Sequence, residues 1–512
     1  MAQAGSNSMG SSSSASSELE DVQSVAASRL GKIAITGRYH TLPRKLEDDY
    51  TVDGKVLGTG LNGSVCLAVR GGAKFAVKDF RLRNIPRVEK DELKRECEVF
   101  LGLDHPHVVR LVGVYESPEK LSLVMECMTG GELFDRLLAR ETYSEKDAAY
   151  ATHQMLLAIS YLHSHWIMHR DIKLENWLYE SKESDHLQLI DFGLSKIWSP
   201  DMQMMRSCGT MAYIAPEVLS KRYTCQCDLW SLGVVVFILL VGYMPFRESK
   251  DTVKGEYLIY PEKWKLVSTE GFDFVKKLLV VDPKVRLTAD QALRQEWLKK
   301  RMEATPADVD PSILGSLCSF ARESKFRRTC LQAMAWSLTN VERAKVRNSF
   351  IAMDKDNSGT ISLHEFKQVM QKHFHIVDEK VQEAFDAIDT DHNGEIVYSE
   401  YLAAMVSSRI SMHDELLKST FSRFDADGDG FVTYPEISDV MGGSIEEEEL
   451  KLIMAQIDVN HDGKISYEEL IHYLQSADAT DAHKIMGHSI VDRHQPHDAP
   501  RTFNRIRALL SL

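Results

Sequence analysis

The sequence lacks the features that would place the protein outside the cell or in a membrane. No charged segment followed by an apolar core opens the chain, which argues against secretion. Residue 2 is Ala2 and not the glycine needed for N-myristoylation, so we expect no myristoyl anchor on a chain that starts at Met1. The apolar run 229–246 contains two glycines and Pro245 and directly follows Asp228, which favours a buried helix over a membrane span. We expect a cytoplasmic protein without a transmembrane segment.

Paired cysteines and an excess of basic residues are also missing. The eight cysteines are scattered, and none has histidines at zinc spacing, so reduced thiols are the expected state. The 61 basic residues are outnumbered by 75 acidic ones, giving a net charge of −14. This balance argues against a general nucleic-acid or anionic-membrane binder and fits cation ligands clustered late in the chain.

The length of 512 residues allows about three domains, and a hydrophobic content of 44% is ample for packed cores. Residues 1–46 are rich in serine and poor in large apolar groups, which predicts disorder. From residue 50 to 103 the pattern predicts short strands and one charged helix, Val88 to Leu101. Helical patterns dominate from residue 132 to 302. A cleft between these two lobes is the expected place for a nucleotide.

A glycine-rich stretch begins the candidate nucleotide site. Gly58, Gly60 and Gly63 would let a hairpin lie over phosphates without a Cβ in the way, and Val65 would cover the base. Glycine turns are common, so this signal is weak without the residues that follow it.

A lysine and a glutamate follow at positions where they could form an ion pair beside the nucleotide phosphates. Lys78 ends the strand-like KFAVK, where its ammonium could hold the α- and β-phosphates. By spacing, its ionic partner on the following helix is Glu96, with Glu92 one turn earlier as the alternative.

The stretch 169–176, HRDIKLEN, carries the most specific signal for phosphoryl transfer. Asp171 could accept the proton of a substrate hydroxyl, and Lys173 could reach the γ-phosphate. Asn176, together with Asp191 of the DFG triplet, could hold two Mg²⁺ ions. Downstream, Glu217 of the APE triplet has an expected buried ionic partner in Arg286.

With these motifs in this order, residues 50–302 resemble a eukaryotic protein kinase. Lys173 after Asp171, together with Thr210 in GTMAYIAPE, is the pattern of serine/threonine kinases in that family. The resemblance implies ATP and Mg²⁺ as cofactors and proteins as substrates. It also implies a nucleotide site formed by Leu57, Gly58, Gly60, Gly63, Val65, Lys78, Glu126, Met128, Glu132 and Asp191.

Two glutamates bear on the choice of substrate. Glu132 and Glu175 occupy places that, in basophilic members of the family, receive an arginine upstream of the phosphorylated residue. Alternatively, Glu132 bonds only the ribose and Glu175 stays solvated. One departure from the family concerns residues 247–254, which are several residues shorter than in relatives and put the substrate-docking helix in doubt.

Four twelve-residue loops rich in oxygen ligands follow in the second half, beginning at Asp354, Asp389, Asp425 and Asp458. Each keeps a glycine at position 6 and a closing glutamate whose two oxygens favour Ca²⁺ over Mg²⁺. Residue 7 of each loop would contribute its backbone carbonyl, and Val397 leaves position 9 of the second loop to a water. The predicted ligands are Asp354, Asp356, Ser358, Thr360, Ser362 and Glu365; Asp389, Asp391, Asn393, Glu395 and Glu400; Asp425, Asp427, Asp429, Phe431, Thr433 and Glu436; and Asp458, Asn460, Asp462, Lys464, Ser466 and Glu469.

Position 8 of each loop is apolar, which predicts that the loops pair through short strands into an N-terminal and a C-terminal couple. The residues are Ile361, Ile396, Val432 and Ile465. Four evenly spaced helix-loop-helix units indicate a calcium sensor, although a pure calcium buffer remains an alternative.

Between the two halves, Asp310 and Pro311 form a good helix start, and no helix breaker occurs until past Leu338. We therefore expect one long helix. Its apolar side carries Ile313, Leu317, Phe320 and Met334, and its basic cluster carries Arg322, Lys325, Arg327 and Arg328. This composition is typical of a target helix for a calcium-sensor groove, with a solvated linker as the alternative.

Taken together, the chain is similar to the calcium-dependent protein kinases of plants and protists. The resemblance implies an α+β protein in which a bilobal kinase fold precedes an all-α domain of four EF-hands. It divides the chain into a kinase (50–302), a junction helix (303–340), a calmodulin-like domain (341–476) and a tail (477–512) that is either a short basic helix or frayed. It implies a monomer in which the junction helix restrains the kinase until Ca²⁺ loads the EF-hands. A scaffold with an inactive kinase fold and a kinase indifferent to calcium are the competing hypotheses.

Overall fold

The structure is a computed structural model that describes residues 38–475 except 61–62, 84, 140–143, 198–209, 302–309, 375–377, 407, 409 and 442–446. The serine-rich segment before residue 38, most of the segment between the DFG and APE triplets, and the tail lie outside the described residues.

The small lobe is built on a six-stranded sheet with the order β1-β5-β6-β4-β3-β2. Gly71 and Gly72, both with positive φ, make the tight turn between β3 and β4. Lys78 lies on the central strand β4, opposite Val65 on β3 and Leu123 on β6. The strands are β1 Tyr39–His40, β2 Thr51–Gly60, β3 Gly63–Arg70, β4 Ala73–Arg81, β5 Leu111–Glu116 and β6 Lys120–Glu126, and the helices are α1 Leu46–Asp49 and α2 Arg87–Leu101.

The large lobe is helical and packs around two long helices. One of these, α4, begins at an N-cap in which Ser144 accepts a hydrogen bond from the Asp147 amide. The other, α6, is buried along nearly its whole length and ends at Gly242, which has a left-handed backbone. This confirms the prediction of a buried helix in the apolar run 229–246. The helices are α3 Leu133–Ala139, α4 Glu145–Ser164, α5 Pro216–Leu219, α6 Gln226–Val241, α7 Ser249–Lys254, α8 Pro261–Trp264, α9 Thr269–Leu278, α10 Ala289–Leu293 and α11 Glu296–Arg301.

Short antiparallel strand pairs frame the loops that carry the polar motifs of the large lobe. Strand β7 pairs with β10, and β8 pairs with β9. Their bounds are β7 Ile167–Met168, β8 Trp177–Tyr179, β9 Leu187–Leu189 and β10 Lys196–Ile197, with 3₁₀ turns at Leu174–Asn176 and Met211–Tyr213. No helix in the described part of the chain combines the length and the apolar character that a bilayer crossing requires.

The segment before the calcium loops forms two helices, α12 Pro311–Phe320 and α13 Lys325–Ala335, and not the single long helix expected from the sequence. The chain turns after Phe320, and the Ser324 side chain accepts a hydrogen bond from the Arg327 amide to start the second helix. This capping serine indicates a second helix start, which the prediction of a single helix overlooked. Asp310 caps the first helix as predicted, accepting from the Ser312 amide at 2.9 Å.

The last domain consists of four helix-loop-helix units. Three apolar cores are found among the described residues: one extends through both kinase lobes, a smaller one lies within the small lobe, and the third joins α12 and α13 to all four units. The elements are α14 Asn340–Met353, β11 Ile361–Ser362, α15 Leu363–Phe374, α16 Asp378–Ile388, β12 Glu395–Ile396, α17 Tyr398–Met405, α18 Asp414–Phe424, β13 Phe431–Thr433, α19 Tyr434–Val440, α20 Glu447–Ile457, β14 Lys464–Ser466 and α21 Tyr467–Gln475.

Residues before the expected boundary at residue 46 have a defined structure. Tyr39 and His40 add a parallel strand to β5. Arg38 is fully buried, and its guanidinium donates to the carbonyl of Leu111 at 3.1 Å. The sequence prediction of disorder over 1–46 is therefore wrong for its last residues, because these polar side chains find partners only in the folded small lobe.

Candidate active site and calcium loops

Lys78 lies between two carboxylates at the back of the cleft. Its Nζ atom is 2.9 Å from Asp191 Oδ1 and 3.2 Å from Glu96 Oε1, and the lysine is buried. Burial opposes the charge of Lys78, but the carboxylates of Glu96 and Asp191 outweigh it and raise the pKa of the lysine above its usual value. The structure thus pairs Lys78 with the preferred partner Glu96, while the side chain of the alternative, Glu92, lies outside the description.

The carboxylate of Asp171 is held by three side chains. It accepts from Lys173 Nζ at 2.6 Å, from Thr210 Oγ1 at 2.8 Å and from Asn176 Nδ2 at 3.2 Å. Asn176 also donates to the Asp171 carbonyl at 2.8 Å. These contacts fix one orientation of Asp171 and bring the residues predicted from HRDIKLEN to a single point. They also join Thr210, from the far end of the activation segment, to the same carboxylate.

A buried aspartate on helix α6 shapes the backbone of this loop. Asp228 accepts from the amides of His169 and Arg170 at 3.0 and 2.8 Å and from the His163 ring at 2.9 Å. Arg170 and Asp191 both have positive φ, of 66° and 62°, so the surrounding contacts must hold a strained backbone.

Phe192 of the DFG triplet points into the core. Its ring lies 5.2 Å from that of Phe100 on α2 and 5.1 Å from that of His169. This packing leaves Asp191 facing Lys78. Farther down, Arg286 forms a bidentate pair with Glu217 at 2.6 and 2.9 Å, as predicted, and both residues are buried.

The remaining predicted nucleotide residues border the same cleft. Gly58 pairs with Val65 across the glycine-rich hairpin, and Gly60 pairs with Gly63. A Cβ on Gly63, where φ is +131°, would lie 3.0 Å from the carbonyl of Asp79. Leu57 is exposed at the rim. Glu126 ends strand β6 and Met128 follows it, in the segment that connects the two lobes.

Acidic side chains gather beside the cleft. Burial raises the pKa of Glu132, and the nearby charges of Asp135 and Glu175 raise it further. The two glutamates singled out in the sequence therefore lie within electrostatic range of one another and form a negative patch.

Each calcium loop folds around its first aspartate. The carboxylate at position 1 accepts from the amide of the glycine at position 6 in all four loops, at 2.9 Å from Asp354, 3.0 Å from Asp389, 3.0 Å from Asp425 and 2.9 Å from Asp458. The glycines have φ between +82° and +88°, the left-handed backbone that this turn requires. The four loops therefore share one geometry.

The closing glutamates also lie where the sequence predicts. Glu365 accepts from the Lys355 amide at 2.7 Å, and Glu469 accepts from the Val459 amide at 3.0 Å, so each folds back over the start of its loop. Carboxylate oxygens come within 4.8 Å of one another in three clusters among the described residues. The clusters are Asp354, Asp356 and Glu365; Asp389, Asp391 and Glu400; and Asp425, Asp427 and Asp429.

The electrostatics of these clusters fit a divalent cation. Burial raises the pKa of Asp354 to about 8, and burial followed by repulsion from Asp391 raises that of Glu400 to about 8. Crowded carboxylates of this kind, with backbone and side-chain oxygens around them, are the donor set that Ca²⁺ prefers.

The predicted pairing of the loops is confirmed. Ile361 lies opposite Ile396 in the β11–β12 ladder, and Val432 lies opposite Ile465 in the β13–β14 ladder. The first two loops form one couple and the last two form the other.

Sequence reasoning missed the contacts that join the calcium domain to the kinase. Arg343 on α14 lies 2.6 Å from Glu126 in the segment connecting the lobes. The guanidinium groups of Arg38 and Arg110 both lie over the ring of Trp336, which follows α13, at 3.8 and 4.3 Å from its centroid. Further contacts across this interface are Arg110 to the Ala335 carbonyl, Arg347 to Glu180, the Ser399 amide to Asp104, and Ser164 to the Ser358 carbonyl.

Comparison with known proteins gives a consistent result. The protein kinase domain family matches residues 51–298, and the EF-hand domain pair family matches residues 343–406 and 414–475. The chain is 36% identical over 405 residues to calcium-dependent protein kinase 11 of Oryza sativa subsp. japonica, covering 77% of this chain and 70% of that protein. It is 36% identical to calcium-dependent protein kinase 34 of Arabidopsis thaliana over 78% of this chain and 79% of that one. It is 33% identical to calcium-dependent protein kinase 5 of Plasmodium falciparum (isolate 3D7), over 78% and 72% respectively.

Proposed function

The chain belongs to the calcium-dependent protein kinases, and we propose how its residues divide the work of a calcium-activated serine/threonine kinase. The observation that carries this proposal is that one chain holds both the Lys78–Glu96–Asp191 constellation and four loops with one calcium-binding geometry. ATP with Mg²⁺ is the phosphoryl donor, and Ca²⁺ is the ligand of the loops.

In the active site, Asp171 orients the substrate hydroxyl and accepts its proton. Lys173, 2.6 Å from that carboxylate, is placed to neutralise charge that develops on the transferred group. Asn176 and Asp191 would hold Mg²⁺, and Lys78 would hold the nucleotide phosphates, because Glu96 fixes its position. Bound ATP supplies the γ-phosphoryl group.

The peptide site favours a basic residue upstream of the acceptor. Glu132 and Glu175, with Asp135 beside them, concentrate negative charge at the edge of the cleft. Burial and then repulsion from these neighbours raise the pKa of Glu132, and a guanidinium placed there would offset both effects.

Calcium controls the kinase through helices α12 and α13. In this structure their apolar side chains belong to the calcium-domain core. Arg327 donates to the Tyr473 carbonyl and Arg328 to the Ala387 carbonyl, so the basic cluster is also engaged by that domain. We assign this arrangement to the active enzyme. Without Ca²⁺, the grooves that hold these helices close, and the freed basic helices restrain the kinase. The proposed control needs only one chain, because the kinase and its calcium-binding regulator belong to the same polypeptide, and we propose that the enzyme acts as a monomer.

The test is phosphorylation of a basic serine peptide by the full-length protein across a calcium titration. We expect activity to rise with free Ca²⁺ and to vanish in EGTA, and the Asp171→Asn variant to stay inactive throughout. A variant ending at residue 302 should no longer respond to calcium. Equal activity of the full-length protein in EGTA and in calcium would refute the proposal.

A further inference from the structure

A cavity of about 310 Å³ lies where the small lobe meets the calcium domain, and its described lining includes none of the predicted nucleotide or calcium ligands. The segment around His40 and Tyr50 forms one wall, the turn after β3 forms another, and helix α18 forms the third. This volume is at the lower end of the range typical of small-molecule sites.

Arg423, near the end of α18, is an unpaired buried charge in this cavity. It is 8% exposed and has no hydrogen-bond or ionic partner in the described part of the chain. A buried guanidinium without an acceptor is costly, and such groups in native structures are usually paired.

Arg70, from the small lobe, supplies a second guanidinium to the same cavity. It stacks on Tyr50 at 4.8 Å and on Phe75 at 5.4 Å, and it has no carboxylate partner among the described residues. Stacking fixes the plane of the group and leaves its N–H donors free for an acceptor.

The charges that line the cavity do not balance. Among the described residues, its lining holds four cationic side chains, Arg44, Arg70, Lys418 and Arg423, against two carboxylates, Asp49 and Glu415. Asp49 is already bound to Arg44 in a bidentate pair with both N···O distances at 2.9 Å. Two positive charges are therefore left over, one on each side of the interface.

We propose that this cavity binds a phosphate dianion, either free or as a small monoester, between Arg70 and Arg423. A dianion matches the two uncompensated charges, and tetrahedral phosphate oxygens can accept from two guanidinium groups at once. Arg70 belongs to the kinase and Arg423 to the calcium domain, so the ligand would connect the two modules. The site is distinct from phosphoryl transfer and does not require the enzyme to turn over.

Calorimetric titration of the full-length protein with O-phosphoserine tests this proposal, with serine at matched ionic strength as the blank. We expect one site in the wild type and a loss of affinity of tenfold or more in Arg423→Gln and in Arg70→Gln. Arg294→Gln is the matched control, because that arginine is exposed and paired with Asp290 far from the cavity. Its titration should equal that of the wild type.

A second measurement separates ligand binding from a folding defect. Because Arg423 has no partner, Arg423→Gln should unfold at the same temperature as the wild type or higher when no phosphate is present, and only the wild type should gain stability from phosphoserine. Inorganic phosphate binding as tightly as phosphoserine would identify the free ion as the ligand, and weaker binding would identify a monoester. Equal responses of the wild type and both cavity variants would overturn the proposal.

Discussion

The guanidinium of Arg343, on the helix before the first calcium loop, lies 2.6 Å from the carboxylate of Glu126 in the segment that connects the two kinase lobes. Both residues are buried. Burial opposes the charge of Arg343, but Glu126 outweighs it and raises the pKa of the arginine. The calcium domain is thus joined ionically to the hinge over which the kinase lobes would move.

Replacing Arg343 with glutamine should weaken this interface. The change leaves Glu126 buried without a counter-charge, a loss of about 3 kcal/mol or more for a buried pair. We expect a lower melting temperature in calcium and a higher free Ca²⁺ for half-maximal activity. Lys345→Gln, an exposed position on the same helix, is the control and should change neither. A double variant with Glu126→Gln should recover part of the loss; if it is no better than Arg343→Gln, the pair does not act as a unit.

The ion pair of His163 and Asp228 predicts a pH dependence of stability. Burial lowers the pKa of His163, but hydrogen bonds to Asp228 and Cys225 and the charges of both groups outweigh it and raise that pKa to about 10. The pair therefore stabilises the fold fully below about pH 6.5, and this contribution is lost as pH rises through about 10. We expect the free energy of unfolding to fall by about 1 kcal/mol per pH unit across this window.

Denaturant unfolding of the wild type and His163→Gln from pH 6 to 10 would measure that slope, which should disappear in the variant. His472→Gln removes an exposed histidine and should leave it intact. Since Asp228 also holds the His169 and Arg170 amides, His163→Gln should lower kcat as well. An unchanged slope in His163→Gln would mean that the imidazole is neutral in the fold.

Local spacing explains which parts of the site the sequence could predict. Lys78, Glu96, Asp171 and Asn176 are placed by short motifs whose backbone course is dictated nearby. The pairing of Ile361 with Ile396 could be predicted in the same way, because the residue at position 8 has a fixed place in each loop. In each case the chemistry is encoded within a few residues of the side chain concerned.

Other features depend on surfaces that meet only in the folded chain. Nothing around Arg343 distinguishes it from other helical arginines until the calcium domain docks and Glu126 faces it. Arg38 followed a serine-rich stretch, and its burial depends on Leu111 and Trp336, which are distant in sequence. The break at Ser324 was missed because a run of helix-forming residues hid one capping serine.

Replacing the closing glutamate of one loop should lower the calcium affinity of both loops in the same couple. Glu365→Gln keeps the hydrogen bonds to the start of the loop possible but removes one negative charge from the ligand set. We expect a tenfold or greater loss of affinity in the first loop, about 1.4 kcal/mol per tenfold. The second loop should weaken too, because β11 and β12 join the two loops.

Equilibrium calcium binding to metal-stripped protein would measure this effect. Glu469→Gln is the matched variant and should weaken only the third and fourth loops, which β13 and β14 join. Ser362→Ala, at a position where water can replace the side chain, should cost less than Glu365→Gln. If Glu365→Gln weakened all four loops equally, the two couples would not be independent.

The glycines at position 6 provide a test of docking that uses the calcium loops themselves. Gly359, with φ of +87°, packs against the kinase, and a Cβ there would overlap the Tyr161 ring and approach His105 to 2.9 Å. Gly463, with φ of +82°, occupies the same position in the fourth loop and has nothing within 4 Å of a Cβ. Alanine imposes the same backbone strain at both sites, of about 1–2 kcal/mol, so both variants should lose calcium affinity in their own loop.

Gly359→Ala alone should also separate the calcium domain from the kinase, since its methyl group meets a packed ring that cannot move aside. The measurement is peptide phosphorylation at saturating calcium: Gly463→Ala should reach the wild-type maximum and Gly359→Ala should fall short of it. Equal maxima in the two variants would show that the first loop does not rest on the kinase in the active enzyme.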